Sequence, residues 1–183
     1  DPPRMDRDTI AILDFGSQYT QLIGRRFREL QVYSEILPPR TTASALRARK
    51  PKGIILSGGP DSVFAKGAPR PDPRLFDLGV PVLGICFGGQ ALAAALGGAV
   101  IPAERPEVGW TVVESDRPDL VPSGPWFQWH GDRWVLPEGV EAIARTDVAE
   151  QAFVVGRSLG VQFHPELTPE MLDFEQAVID EKV

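Results

Sequence analysis

One stretch, residues 80–96, constrains the fold more than any other part of this sequence. It begins with an apolar run of strand length from Val82 to Ile85, passes through Cys86 and a Gly-Gly step, and continues as an apolar helix-forming segment. A buried strand that turns at once into an apolar helix is typical of parallel α/β sheets, whose faces are both covered. Since the flanking glycines carry no side chains, we expect another molecule to approach Cys86 closely.

The first half of the chain alternates strand-like and helical patterns. Near-continuous apolar runs predict strands at 9–15, 32–37, 52–56 and 82–85. The helices predicted between them span 18–30, Thr41 or Thr42 to Arg49, and Asp72 or Pro73 to Leu78. This repeating order predicts an α/β fold with a mostly parallel central sheet flanked by helices.

The pattern changes after residue 98 to short strand-like runs, several of them separated by hairpin-length turns. These runs lie at 99–101, 110–114, 126–129, 133–136, 141–145, 152–155 and 160–163. They predict antiparallel additions to the sheet or a small flanking sheet. Residues 169–182 are predicted to close the fold as an amphipathic helix. With no internal repeat or linker, we expect residues 9–183 to form a single domain.

Composition excludes several classes of function. The net charge of −6 leaves no basic footprint for nucleic acid or an anionic membrane, and no apolar run is long enough to span a bilayer. Cys86 is the only cysteine, which rules out an internal disulfide and fits the reducing cytoplasm. We expect a cytoplasmic protein without metal or cofactor, and residues 1–8 as a disordered leader or cloning remnant, with Met5 a candidate native start.

Cys86 has two interpretations. A lone cysteine in an apolar run is most simply a small buried hydrophobe. At a strand-to-helix turn, however, it lies against the unpaired N–H groups of the helix and the positive end of its dipole, both of which favour the nucleophilic thiolate form. Which interpretation holds depends on the other residues that the fold can bring to this cysteine.

His164 and Glu166 are the partners that a nucleophilic cysteine needs. The segment G-V-Q-F-H-P-E places His164 just after a buried strand and Glu166 two residues later, across a proline that prevents helix continuation. Carboxyl ends of parallel strands meet at one edge of a sheet, so Cys86 and His164 can meet although 78 residues separate them (164 − 86). Taken singly, His164 would be a core histidine and Glu166 a surface carboxylate. Together they suggest a base and its orienting carboxylate.

The segment S-G-G-P-D-S at residues 57–62 allows three interpretations. It matches a phosphate-cradling loop of ATP pyrophosphatases, but such a loop should follow the first strand and be backed by basic residues. Here it follows the third predicted strand, and the nearest downstream basic residues are Lys66 and Arg70. A second interpretation is an oxyanion hole made of backbone N–H groups. The third is a plain glycine turn.

Three motifs occur in the order and approximate spacing of class I, triad-type glutamine amidotransferases. They are S-G-G-P, G-I-C-F-G-G-Q and G-V-Q-F-H-P-E, and the resemblance covers about residues 9–175. The segment I-L-D-F-G-S-Q-Y-T-Q-L-I-G-R-R is similar to the glutaminase domain of the GMP synthetase family. The second half, with W-H-G-D-R-W-V-L-P and Q-A-F, is more similar to stand-alone class I amidotransferase-like proteins, and C-F-G-G-Q differs from the C-Y-G-M-Q usual in GMP synthetases.

The resemblance implies a flavodoxin-like fold and a role for each catalytic motif. Cys86 attacks the side-chain amide carbon of glutamine. His164 acts first as the base and then as the acid for departing ammonia, and Glu166 orients it. The N–H groups of Gly59 and Phe87 form the oxyanion hole. These assignments favour the nucleophile interpretation of Cys86 and the oxyanion-hole interpretation of the glycine loop.

The same resemblance implies which residues contact glutamine. They are Gly58, Gln90, Trp129, Gly131 and Asp132. His130, which lies inside the W-H-G-D segment, is expected to fix this loop and not to act as a second base.

We therefore predict a glutaminase that passes ammonia to a synthetase partner, with GMP synthetase as one candidate. The chain is too short to hold an amination domain as well, so the acceptor must be another polypeptide or another part of a longer one. Three alternatives stay open at this point: a stand-alone γ-glutamyl hydrolase or peptidase, an ATP-pyrophosphatase-type loop protein, and a regulatory subunit with a dormant triad.

Overall fold

The computed structural model describes residues 7–60 and 62–171. Its first half follows the predicted alternation. The strands are β1 (Thr9–Leu13), β2 (Tyr33–Leu37), β3 (Gly53–Leu56) and β4 (Val82–Ile85). The helices are α1 (Thr20–Glu29), α2 (Ala43–Arg49) and α3 (Phe87–Ala95), with a 3-10 helix at Pro73–Asp77. Thr42 caps α2 as predicted, because its side chain accepts a hydrogen bond from the Ala45 N–H at 3.2 Å.

The second half adds five strands to the same sheet. They are β5 (Ala99–Ser115), β6 (Gly124–Val135), β7 (Ala142–Arg145), β8 (Glu150–Val155) and β9 (Ser158–Val161). In the described residues the strand order is β2-β1-β3-β4-β9-β8-β7-β5-β6. The strands from β2 to β9 in this order run parallel, and the remaining neighbours pair antiparallel. The predicted α/β class, a mostly parallel sheet with antiparallel additions, is confirmed.

Two details of the second half differ from prediction. The four runs predicted between residues 99 and 136 merge into the two long strands β5 and β6, because their antiparallel pairing continues across an irregularity between Pro102 and Glu107. Proline and charged residues in that stretch are unusual in a regular strand, so no strand was predicted there. A β-bulge can accommodate such residues. The last strand, β9, belongs to the runs predicted as antiparallel additions or a flanking sheet; it pairs antiparallel with β8 but also parallel with β4. This pairing brings the carboxyl ends of β4 and β9 to one edge of the sheet.

The parallel strands lie between two apolar layers. Successive residues of β3 alternate between them: Ile54 and Leu56 pack with the cluster on one face, and Ile55 packs with the cluster on the other. Burial on both faces explains why β1, β3 and β4 are near-continuous apolar runs, whereas the edge strand β2 is only partly buried. Most of the predicted closing helix at 169–182 lies outside the described residues. Its first three residues, 169–171, are described and are helical. Within the described part, no helix is long and apolar enough to cross a membrane.

The glycines around Cys86 serve packing of the chain against itself, so the expectation that they admit another molecule was wrong. A Cβ atom on Gly88 would lie 2.2 Å from the backbone oxygen of Leu56, and one on Gly84 would lie 2.4 Å from that of Gly88. A Cβ on Gly89 would lie 2.7 Å from the oxygen of Val161. The missing side chains therefore let α3 lie directly on β3, β4 and β9, which places the start of this helix at the sheet edge.

Candidate active site

Cys86 lies at the sharp turn between β4 and α3. Its backbone has φ 53° and ψ −110°, a conformation that side-chain-bearing residues rarely adopt. The N–H of Cys86 donates to the Val161 oxygen at 2.8 Å, and its carbonyl accepts from the Gln90 N–H at 3.0 Å. These bonds hold a strained residue, at a cost of about 1–3 kcal/mol, so that it presents its thiol at the edge of the sheet. Such an elbow is typical of enzyme nucleophiles.

Sequence reasoning placed Cys86 at a turn but missed this backbone strain. A signal for it was present, because Gly84 and Gly88 flank the cysteine at the spacing of the G-x-S-x-G nucleophile elbow, with cysteine in place of serine.

His164 and Glu166 form the expected pair beside this thiol. His164 Nδ1 lies 2.7 Å from Glu166 Oε1, and both side chains are buried. The main-chain N–H of His164 donates to the Phe127 oxygen at 2.9 Å, which anchors the segment after β9 to β6. The side chain of His164 also lies close enough to Cys86 for the two groups to interact electrostatically. The structure thus brings together the three residues that the sequence proposed as nucleophile, base and orienting carboxylate.

The environment of His164 keeps its ring protonated at neutral pH. Burial acts to lower the pKa of His164, but hydrogen bonds and charge interactions with Cys86 and Glu166 outweigh it and raise the pKa to about 10. Glu166 Oε2 is buried and has no hydrogen-bond partner in the described part of the chain, so the hydrogen bond of this carboxylate is the one between Oε1 and His164. A protonated imidazole beside the sulfur is the acid that a departing amine needs.

The glycine loop after β3 lies against this pair. The Ser57 hydroxyl holds it, accepting from the Phe15 N–H and donating to the Gly58 oxygen, each at 2.9 Å. A Cβ on Gly58 would lie 3.2 Å from His164 Cε1, so Gly58 is packed behind the imidazole. Gly59 lines the cavity in front of Cys86, where a Cβ would lie 2.6 Å from the Phe15 oxygen. The loop is therefore part of the same site as Cys86.

Phe87, the other predicted oxyanion donor, is the first residue of α3 and lines the same cavity. The N–H groups of the first helical turn have no partner inside the helix. Both predicted donors, on Gly59 and Phe87, thus lie in the cavity wall next to the nucleophile.

A cavity of about 680 Å³ opens at this edge of the sheet. Its walls come from the turn after β1, the loop after β3, the start of α3, and the pair of strands β5 and β6, here called the β5–β6 arm. In the described residues its lining contains no lysine or arginine, which disfavours the phosphate-loop interpretation of S-G-G-P-D-S. Nowhere in residues 7–60 and 62–171 are three or more His, Cys, Asp or Glu side chains grouped to hold a metal ion.

The residues predicted to contact glutamine occupy different positions around this cavity. Trp129, Gly131 and Asp132 line it, but they lie within strand β6 and not in a loop as expected. The reason is that β6 pairs with β5 on both sides of the irregularity at Gly131. Gln90 also lines the cavity, yet its side-chain nitrogen donates to the Asp132 oxygen at 3.1 Å and to Gln162 Oε1 at 3.2 Å. Its amide N–H groups are thus directed into the protein, while Gly58 lies behind the cavity wall.

Three residues near the site escaped sequence reasoning. Gln162 Nε2 lies 3.7 Å from the Cys86 sulfur, and its place inside G-V-Q-F-H-P-E could have drawn attention to it. Tyr19 packs edge-on against the ring of His164, with ring centroids 6.2 Å apart. Glu107 binds the ring of His130 at 2.8 Å, and no pattern in its local sequence marks it, because only the pairing of β5 with β6 brings the two together.

Comparisons with known proteins agree with this geometry. A family model for class I glutamine amidotransferases matches residues 11–177. The GMP synthase [glutamine-hydrolyzing] of Synechocystis sp. is 51% identical over 174 residues, which cover 90% of this chain and 32% of the relative. The corresponding protein of Chlorobium chlorochromatii is 45% identical over 87% of this chain and 34% of its own length. The chain therefore spans about a third of these relatives' length.

Solved structures show the same fold. A Thermoplasma acidophilum protein described as a GMP synthase subunit superposes with a TM-score of 0.78 at 28% identity, covering 89% of this chain and 86% of its own. A glutamine amidotransferase from Thermotoga maritima superposes with a TM-score of 0.71 at 24% identity, covering 97% of this chain and 84% of its own.

The relatives also correct one expectation. The second half had been expected to be more similar to stand-alone proteins, but the similarity to GMP synthases extends over 90% of the chain. The motif differences at Phe87 and Gly89 thus lie within the region that matches GMP synthases. The nucleophile elbow, the histidine–carboxylate pair, the family match and the fold all agree, and the chain belongs to the class I glutamine amidotransferase family.

Proposed function

We propose that this domain hydrolyses glutamine to glutamate and ammonia through a thioester on Cys86, and that the ammonia is delivered to an amination domain or subunit of a GMP synthase. One observation carries the chemistry: Cys86 on a strained elbow beside His164, whose other ring nitrogen lies 2.7 Å from Glu166. This arrangement provides a nucleophile, a proton carrier and an orienting carboxylate in one buried group.

The proposed reaction has two halves. The Cys86 sulfur attacks the side-chain amide carbon of glutamine, and the N–H groups of Gly59 and Phe87 stabilise the oxyanion that forms. His164 then gives its proton to the departing nitrogen, so that ammonia leaves and a thioester remains. Water attacks the thioester while His164 takes a proton from it. The second oxyanion collapses, glutamate leaves, and the Cys86 sulfur is released. Glu166 holds the imidazole in place throughout.

The cavity suits the amino-acid end of glutamine. We assign Gln90, Trp129, Gly131 and Asp132 to its wall and Gly58 to the support of His164, since a Cβ on Gly58 would press on that ring. The backbone of the exposed β6 segment provides the polar groups that can meet an amino and a carboxylate group. This role for Gly58 is structural support, in place of the direct contact first expected.

The identity of the ammonia acceptor rests on relatives. Two glutamine-hydrolysing GMP synthases share 51% and 45% identity with this chain, which matches only about a third of each. The remaining two thirds of such a protein is where an amination reaction would occur. We propose residues 9–183 as one glutaminase domain that works with such a region, in the reducing cytoplasm that keeps Cys86 as a free thiol.

A glutamine-analogue electrophile tests the chemistry. We expect 6-diazo-5-oxo-L-norleucine to label Cys86 once per chain, and glutamine to protect it. The Cys86→Ser variant is the matched control, because it keeps the elbow and should take up no label. A folded wild-type chain that is not labelled would contradict the proposed nucleophile.

A substrate panel separates the alternatives. We expect release of ammonia from glutamine and little cleavage of γ-glutamyl peptides, and preferential cleavage of the peptides would instead support a γ-glutamyl hydrolase. Binding of ATP to the isolated chain, measured by calorimetry, would revive the phosphate-loop interpretation of residues 57–62. Increased ammonia release on adding the amination region of a GMP synthase would support the proposed acceptor.

A further inference from the structure

A buried hydrogen-bond network links the β5–β6 arm to the wall of the cavity, and Glu107 lies at its centre. The side chain of Glu107 is 5% exposed. Its Oε2 accepts from Gln151 Nε2 at 2.9 Å and lies 2.8 Å from His130 Nε2, and its Oε1 accepts from the Thr146 hydroxyl at 2.7 Å. A carboxylate held in this way by three side chains is costly to bury unless every contact is made.

His130 connects Glu107 to the cavity wall. Its Nδ1 lies 2.8 Å from the Asp132 oxygen, while Nε2 lies against Glu107. A carbonyl oxygen and a carboxylate both accept hydrogen bonds, so a ring with both nitrogens protonated satisfies the two contacts together. Burial acts to raise the pKa of Glu107, but its hydrogen bonds with His130, Thr146 and Gln151 hold the pKa below its usual value. This direction agrees with an ionised Glu107 carboxylate.

The Asp132 oxygen joins the network to α3. It accepts from His130 and also from Gln90 Nε2, at 3.1 Å. The same Gln90 nitrogen donates to Gln162, whose own amide nitrogen lies 3.7 Å from the Cys86 sulfur. The cavity-lining part of β6 is thus fixed to the nucleophile's helix through one peptide carbonyl.

In the described residues, the backbone pairing of the arm with the rest of the sheet lies away from Glu107, and on β6 it is a bridge between Phe127 and His164. Ladder pairing between β5 and β7 is confined to Glu114 and Ser115, far along the strand from Glu107. Thr146 and Gln151 belong to the β7–β8 hairpin, so the bonds of Glu107 connect the arm to the main sheet just where β6 lines the cavity.

We propose that Glu107 is a positioning residue for substrate binding: through His130 it sets the Asp132 carbonyl and the Gln90 amide, and so fixes the β6 wall that glutamine contacts. This inference rests on the proposed function, because it concerns the binding of glutamine at the same cavity. Glu107 does not touch the substrate, and the Cys86–His164–Glu166 group does not include it. Its loss should weaken glutamine binding and leave the thiol reactive.

The experiment compares three variants by labelling of Cys86. Glu107→Gln keeps the shape but removes the charge that faces His130, Thr146→Val removes one hydrogen bond to Glu107, and Gln128→Met is the control. Gln128 is a buried member of the same network that bonds Gln151 but neither Glu107 nor His130. Two reagents are used: 6-diazo-5-oxo-L-norleucine, which must occupy the glutamine site, and iodoacetamide, which needs only an accessible thiol.

We expect Glu107→Gln to raise the half-saturating concentration of the glutamine analogue about 10-fold or more, and Thr146→Val to raise it about threefold. The rate of labelling at saturation and the iodoacetamide rate should change by less than about threefold, since the triad is intact. Gln128→Met should leave all of these values within about twofold of wild type.

Three results would overturn the proposal. In the first, both Glu107→Gln and Thr146→Val keep the wild-type half-saturating concentration and lose only thermal stability. In the second, Gln128→Met weakens the analogue as much as Glu107→Gln does. In the third, iodoacetamide labelling falls in parallel with analogue labelling. If the wild-type chain reacted with iodoacetamide but not with the analogue, the proposed glutaminase function would be contradicted. The inference about Glu107 would then fail with it.

Discussion

The two sides of the active-site cavity are held in place by different kinds of interaction. On one side, Cys86 is positioned by close backbone packing between α3 and the parallel strands, and the Ser57 hydroxyl holds the glycine loop beside it. On the other side, the β5–β6 arm is positioned by buried polar side chains around Glu107 and His130. An added side-chain atom at the glycines would disturb the packing on the first side. Loss of a hydrogen bond around Glu107 would disturb the position of the arm on the second side.

This difference suits the role proposed for each side. Stabilising an oxyanion needs N–H groups held to within a fraction of an ångström, and backbone packed on backbone provides that rigidity. The proposed binding of the amino-acid end of glutamine needs polar groups on a strand pair whose described backbone links to the rest of the sheet lie at Glu114, Ser115 and Phe127. A hydrogen-bond network supplies the missing links and specifies one arrangement of the arm.

The largest expected effect concerns His164, which lies between the two sides of the cavity. Replacing His164 with Ala should lower the turnover number for glutamine by about 100- to 10,000-fold, because both proton transfers lose their carrier. Steady-state ammonia release measures this, with binding of glutamine by calorimetry as the control. A variant that keeps near wild-type turnover would show that the base lies elsewhere.

Gly88→Ala tests the packed side. Its Cβ would lie 2.2 Å from the Leu56 oxygen, so α3 must move, and the free energy of unfolding should fall by about 1–3 kcal/mol or more. Turnover should fall as well, since Cys86 and the Phe87 N–H move with the helix. Gly131→Ala in the arm is the matched control for stability, because nothing lies within 4 Å of a Cβ at that position. Equal denaturation midpoints for the two variants would contradict the proposal that the α3 side is more closely packed than the arm.

Glu166→Gln tests the proton carrier through its pH dependence. The pKa of His164 is raised from 6.5 to about 10, so its protonated form contributes stability that is fully present below pH 6.5 and is lost as the pH rises towards 10. Without the Glu166 charge the pKa should move back towards 6.5, and the variant should lose this contribution at lower pH. NMR titration of the His164 ring and urea unfolding at several pH values measure both effects.

The exposed Glu138→Gln variant is the control for that titration, since Glu138 is remote in sequence and solvent-exposed. An unchanged His164 titration in Glu166→Gln would mean that the 2.7 Å contact does not govern the charge of the ring.

Ser57→Ala should have the smallest effect of this set. It removes two hydrogen bonds of 2.9 Å that hold the glycine loop, at a cost of about 1–3 kcal/mol because the Phe15 N–H is left buried without its partner. We expect turnover to fall by about 10-fold, with little change in the glutamine concentration for half-maximal rate, because the oxyanion donor on Gly59 loses its support while the arm is untouched. If the glutamine concentration for half-maximal rate changed more than turnover, the glycine loop would contribute to glutamine binding and not mainly to oxyanion stabilisation.

Prediction from sequence was most accurate where burial makes the pattern simple. The strands β1, β3 and β4 are apolar on both faces, and the positions of β1 to β4 were predicted to within about two residues. The arm was predicted as four short strands, because proline and charged residues near Pro102 and Glu107 resemble a loop while a bulge in fact carries the pairing through. Charged side chains on an exposed strand pair leave no periodic apolar signal.

Local sequence determined the chemistry of this protein. The turn at Cys86 follows from a buried strand that runs straight into a helix, and the pairing of His164 with Glu166 needs only two residues of spacing. The tertiary structure alone decided which distant groups meet: β9 pairs parallel with β4, which brings His164 to Cys86, and the register of β5 with β6 sets Glu107 opposite His130. The physical reason is that turns and short spacings are governed by neighbouring residues, whereas strand order and register depend on packing and pairing over the whole sheet.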